Sequence, residues 1–153
     1  MINKTLIKTV IASSLLLSST AMAVVTSGSA TFNLVAPLAT IAGATMDFGD
    51  IDISTTGSCG MDSAGVETGT LCLGTGNATT LGAFTVTGNN GLVNLSVGNV
   101  AGEPTDVTFA PAVAATDTIA LGTLAVNVYG NITVGASATG GSSTVTYDLT
   151  VTY

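Results

Sequence analysis

Histidine and tryptophan are absent from this 153-residue chain, and its only basic side chains, Lys4 and Lys8, fall within the first eight residues. Without imidazole there is no Ser-His-Asp or Cys-His nucleophile and no histidine metal ligand. Without Lys or Arg beyond residue 8, the rest of the chain has no Schiff-base amine and no clamp for phosphate. The phosphate-loop pattern G-x-x-x-x-G-K-[ST] is missing as well. Charged residues make up 7% of the chain and the formal net charge is -7, so phosphate cannot be neutralised and nucleic acid is repelled. Beyond residue 23 no apolar run approaches the roughly 18 residues of a membrane helix, so membrane insertion is not expected.

The first 23 residues read as a secretory signal peptide. A positive start is followed by an apolar run over residues 9–20 and then by Ala21-Met22-Ala23, a small-x-small cleavage site. Removing the two lysines with it takes the formal charge from -7 to -9. What remains, residues 24–153, is one domain's worth of chain with a real core. Residue 24 is Val, so cleavage exposes no cysteine for lipid attachment. The expected destination is periplasm, cell surface or medium.

The mature stretch carries period-two apolar patterns between turn signals and no amphipathic helical stretch of useful length. Ala30, Phe32, Leu34, Ala36 and Leu38 alternate, with Pro37 marking an edge or a break. Met46 and Phe48 share one parity and Ile51 and Ile53 the other, which places a bulge at Gly49. Phe84 and Val86 form a short strand, Asn89-Asn90-Gly91 a hairpin turn, and Val93, Leu95 and Val97 the returning partner. Val107 and Phe109, then Leu124, Val126 and Val128, then Ile132 and Val134 continue the pattern. The clearest strand is the last, where Val145, Tyr147, Leu149, Val151 and Tyr153 alternate with Thr and Asp. Seven to nine strands without crossover helices predict an all-β fold, an antiparallel β-sandwich with Greek-key connections. The Gly-rich residues 55–82 read as an excursion from that sandwich.

Cys59 and Cys72 are the only cysteines, and an even count in an exported chain favours a disulfide. The spacing is not C-x-x-C and no cation lies nearby to activate a thiol, which argues against a redox pair. Carboxylates are the remaining chemistry. Asp47, Asp50 and Asp52 fall within six residues, and a Ca²⁺ site is the functional reading because hard cations take carboxylate oxygen. The competing reading is a solvated face opposite Ile51 and Ile53. No catalytic residue and no cofactor is expected.

Two readings also apply to Tyr147 and Tyr153: core-facing aromatics, or part of a terminal recognition strand. Bacterial fimbrial subunits end in such an alternating strand, which a periplasmic chaperone pairs by β-augmentation. Further motifs point the same way. Ala36-Pro37-Leu38-Ala39-Thr40-Ile41 followed by Met46-Asp47-Phe48-Gly49-Asp50-Ile51, then Phe84-Thr85-Val86-Thr87-Gly88, and finally Val151-Thr152-Tyr153, resemble a secreted bacterial domain-of-unknown-function family. The resemblance implies a fimbrial-subunit-like layout, hence an immunoglobulin-like sandwich and a surface or pilus role. The Cys59–Cys72 loop departs from that pattern.

The expected function is an exported, non-enzymatic structural or adhesive subunit of a surface fibre. Residues 24–38 are its candidate donor strand, with a homopolymer, a periplasmic chaperone and an outer-membrane assembly pore as partners. The same segment could instead pair within its own domain as the first strand. The alternative function is a monomeric secreted binding module for Ca²⁺ or a glycan.

Overall fold

A computed structural model describes residues 29–32, 34–76 and 78–153. The expected signal peptide lies outside these residues. Met1–Asn33 and Leu34–Tyr153 are separate compact units, and all nine strands belong to the second. In chain order they are β1 (Ala39–Ala42), β2 (Gly57–Met61), β3 (Glu67–Gly69), β4 (Gly82–Thr87), β5 (Gly91–Ala101), β6 (Val107–Ala112), β7 (Thr116–Ile119), β8 (Thr123–Val134) and β9 (Thr146–Thr152). Among the described residues there is no helix, and the paired strands are antiparallel. The fold is an all-β sandwich of two sheets, as the alternation predicted.

The larger, six-stranded sheet follows the order β1-β4-β8-β2-β3, with β6 also paired to β8. Its spine is β8. The first half, through Val128, pairs with β4, and the second half takes both β2 and β6. Leu124, Val126, Val128, Ile132 and Val134 share one parity, so a single 12-residue strand stands where two shorter ones were expected. At Gly130 no side chain interrupts the packing: a Cβ there would lie 2.6 Å from the Ala110 carbonyl oxygen. The smaller sheet is β7-β5-β9, with β5 at its centre.

The main core lies between the sheets, where Val86, Val93, Leu95, Ile119 and Val126 are buried and Leu38, Leu149 and Val151 pack against them. Burying one such side chain is worth about 1.5–3 kcal/mol, so this cluster holds the two sheets together. A second cluster of Cys59, Leu71 and Val134 sits at the far end of β8, joined by Phe48, Ile51 and Ile132.

Four expectations change. Residues 34–38 are in no strand, and the first strand is Ala39–Ala42, which does not include them. Asn89-Asn90-Gly91 does not close a hairpin: β4 and β5 belong to different sheets, so the turn arches across the core and sets Val86 against Val93. Residues 55–82 do not leave the sandwich, because β2 pairs with β8 from Gly57 to Met61 and β3 continues the sheet. The Asp47–Ile53 stretch is a loop touching the rest through the bridges Asp47↔Thr80 and Ile51↔Cys72, without the strands on either side that a bulge requires. Gly49 does adopt φ 66°, a left-handed conformation within that loop.

Candidate assembly site

β9 is an edge strand. Its ladder runs to β5 from Asn94↔Thr152 to Ala101↔Thr146, and among the described residues it has no partner on the other side. An edge of this kind presents unpaired N–H and C=O groups and can template another strand. Alternation places Tyr147, Leu149 and Val151 on the inner face, while Thr146, Asp148, Thr150 and Thr152 face solvent.

Beside the start of β9 lies an open groove of about 1180 Å³, lined by β9 but by no residue of β5. Its floor is apolar and aromatic: Phe84 comes from β4, Phe109 from β6, Ile132 and Val134 from β8, and Tyr147 from β9. The loops over residues 42–51 and 139–145 form its walls. The groove exists because three strands cannot cover six. The main core uses the first half of β8, and the groove floor shares Ile132 and Val134 with the disulfide cluster at its end.

The floor's aromatics are linked edge to face. Phe48 meets Phe109 at 5.7 Å between centroids, Phe109 meets Tyr147 at 5.8 Å, and Tyr147 meets Phe84 at 6.1 Å. These distances fall in the favourable range for aromatic pairs. Tyr147 is seated by Gly82, where a Cβ would stand 2.3 Å from the phenol oxygen. Tyr153 is seated in the same way by Gly88, with its oxygen 2.6 Å from the position a Cβ would take. Two tyrosines six residues apart, on and just beyond β9, therefore rest on two glycines six residues apart on and just beyond β4. That matched spacing is present in the sequence, and it is the signal by which the two sheets could have been aligned.

Burial raises the Tyr147 phenol above the ordinary tyrosine value. The folded chain then keeps a proton that the unfolded chain releases as pH rises past the ordinary value, so stability falls with pH in that range. The expected result is a melting temperature that declines above about pH 10. Thermal scans of Tyr147→Phe should give a flatter decline over the same range.

The leading segment, residues 34–38, lies in no strand and is held without a ladder. The Asn89 amide Nδ2 donates to the Leu34 carbonyl oxygen at 3.3 Å, and the Tyr153 hydroxyl donates to the Ala36 carbonyl oxygen at 3.1 Å. Leu38 alone packs on the core, while Leu34 is 82% exposed. Of the other expected donor residues, Ala30 and Phe32 belong to the first unit and lie in no strand. Val145 and Tyr147 line the groove, and Leu149 and Val151 pack in the main core.

Asp47, Asp50 and Asp52 are drawn to local partners. Asp47 Oδ1 accepts from the Gly49 N–H at 2.9 Å, and Asp50 Oδ2 accepts from the Thr75 hydroxyl at 3.4 Å. Asp52 Oδ1 accepts from the Ser54 N–H at 2.8 Å, and Ser54 holds that carboxyl below the usual carboxylate range. No group of three or more His, Cys, Asp or Glu among the described residues is arranged to hold a metal ion. Cys59 and Cys72 do come together, as a disulfide with Cα atoms 4.8 Å apart.

Fold and site together define a disulfide-bonded antiparallel β-sandwich with an open aromatic groove beside an unpaired terminal strand. No helix among the described residues is long and apolar enough to cross a membrane. In comparisons with protein-family models, curated proteins and solved structures, nothing matches the chain.

Proposed function

We propose that this protein is an exported, non-enzymatic structural or adhesive subunit of a bacterial surface fibre, assembled by strand complementation. Residues 24–38 of one copy add alongside β9 of the next and lay alternate apolar side chains into the groove. The observation that carries this reading is the unpaired edge of β9 bordering an open apolar groove. Backbone pairing supplies affinity along such an edge, and alternate side chains fix its register. Four further features support it. Residues 34–38 have no ladder of their own to surrender, and residues 24–38 carry no charge to bury. The sequence motifs resemble a secreted bacterial family with fimbrial layout. The disulfide fits an oxidising compartment and hence export.

Deleting residues 24–36, which leaves Leu38 in the core, tests the reading by negative-stain microscopy of cell-surface material. Circular dichroism of the purified chain supplies the check on folding. The expected outcome is a folded monomer without fibres, and a synthetic peptide of residues 24–38 should stop growth of the intact protein. Unchanged fibres from the deleted chain would overturn the proposal.

A further inference from the structure

β7 and β8 are joined by a two-residue turn, Leu121-Gly122, closed by reciprocal backbone hydrogen bonds between Ala120 and Thr123 at 3.2 and 3.1 Å. Leu121 has φ 54° and Gly122 φ 80°, so both central residues are left-handed, as a type I′ turn requires. That turn favours Asn, Asp or Gly at its first central position, and a bulky branched residue there is a backbone outlier. Leu121 is also 94% exposed, so packing in its own chain does not offset the strain. Strain and exposure at one apolar residue together point to a contact outside the chain.

Leu121 does not stand alone. The Gly122 N–H donates to Asn90 Oδ1 at 2.8 Å, and the Gly88 N–H donates to the Gly122 carbonyl oxygen at 3.1 Å. The Asn89 N–H donates to the Tyr153 hydroxyl oxygen at 2.7 Å, and the Asn89 side chain reaches Leu34. These bonds tie four pieces of chain into one end of the sandwich, where Leu34, Val35, Leu121 and Tyr153 are all exposed. No acid lies in those pieces; the nearest along the ladder is Asp117, opposite Val93. The groove lies toward the other end, where β9 begins. Asp47 and Asp50 line it, and Glu103 and Asp106 flank Pro104 and Val107, which line it too.

We infer that the uncharged apolar end of one copy seats on the groove mouth of a second copy, with Leu121 as its anchor. The inference rests on the strand-complementation reading for the direction of stacking. In the mature chain residues 24–33 lead into Leu34, whose carbonyl oxygen is held by Asn89 at this apolar end. A copy that delivers them to a neighbour's groove therefore brings the same end against that groove. Charge favours the arrangement: a neutral end on an acidic end opposes no carboxylates, whereas two groove ends face to face would, with no cation beyond residue 8 to relieve them. Contact between unlike ends is heterologous, and it grows a filament where its rotation does not close a ring.

The test combines Leu121→Asn with a photoreactive residue placed at residue 121 of the chain that lacks residues 1–23. Asn suits the turn, so Leu121→Asn should melt no lower than wild type and yet extend fibres about tenfold more slowly, as loss of a buried anchor does. A structural role would instead lower both. Cross-links from position 121 should map to residues 42–51 and 139–147 of another copy. Wild-type growth by Leu121→Asn, absence of cross-links, or cross-links from 121 to 121 would overturn the inference. Fibres with cross-links elsewhere would remove this contact and leave strand complementation standing. Groove cross-links without fibres would do the reverse.

Discussion

Replacing Cys59 and Cys72 together by alanine should lower the free energy of unfolding by about 3 kcal/mol, the chain-entropy value for a loop of this size. The two cysteines are 13 positions apart, and their loop contains β3 and β2 from Cys59 onward. β3 is only three residues long and pairs with β2 alone, so its ladder is too short to hold the hairpin by itself. Cys59 is fully buried against Leu71 and Val134, and Phe48 and Ile51 pack on that cluster. Because Phe48 and Ile51 also line the groove, the damage should reach the proposed assembly site. Urea titration followed by circular dichroism measures the first effect, and fibre yield on the cell surface the second. An alanine pair as stable as the parent would mean that the loop is held by its ladders and not by the bridge.

Gly130→Ala is the other substitution expected to act strongly. The added Cβ would meet the Ala110 carbonyl oxygen at 2.6 Å, Pro111 Cα at 3.0 Å and the Phe109 ring at 3.0 Å. Two of these three are backbone, which cannot rotate aside, so β6 must shift away from β8. Overpacking of this kind costs about 1–3 kcal/mol. The site is also a junction, because Gly130 pairs with Met61 of β2 and with Pro111 of β6. Moving Phe109 disturbs the ring that stands between Phe48 and Tyr147 on the groove floor. Gly98→Ala is the control: no atom lies within 4 Å of its added Cβ, and its melting temperature should stay within a degree or two of the parent. Equal melting of the two variants would refute the steric argument.

Much of this fold was legible in the residues. Period-two alternation located β9, β4 and β5, and the even cysteine count in an exported-looking chain located the bridge. Alternation tells which side chains share a face, but it does not name the neighbouring strand. That is why Asn89-Asn90-Gly91 reads as a hairpin in sequence and acts as an arch between sheets in space. The same limit hid the place of residues 55–82. Gly57 and Gly60 are poor strand formers taken alone, and the segment becomes a strand because β8 offers it a ladder and Leu71 covers Cys59. Of the candidate site, the terminal strand was visible but the groove was not. Phe48, Phe84 and Phe109 lie far apart in the chain, and only the mismatch of three strands against six brings them to one floor.

The seating of Tyr147 on Gly82 and Tyr153 on Gly88 has a consequence at a larger scale. Two pegs in two notches, set six residues apart, let β9 sit at one offset along the opposing sheet; a slip of two residues would drive both phenols into neighbours that carry a Cβ. A strand laid along the outer edge of β9 inherits that offset through its hydrogen bonds. The axial repeat of a fibre built this way would then be dictated inside each subunit, by the two glycines that seat its tyrosines.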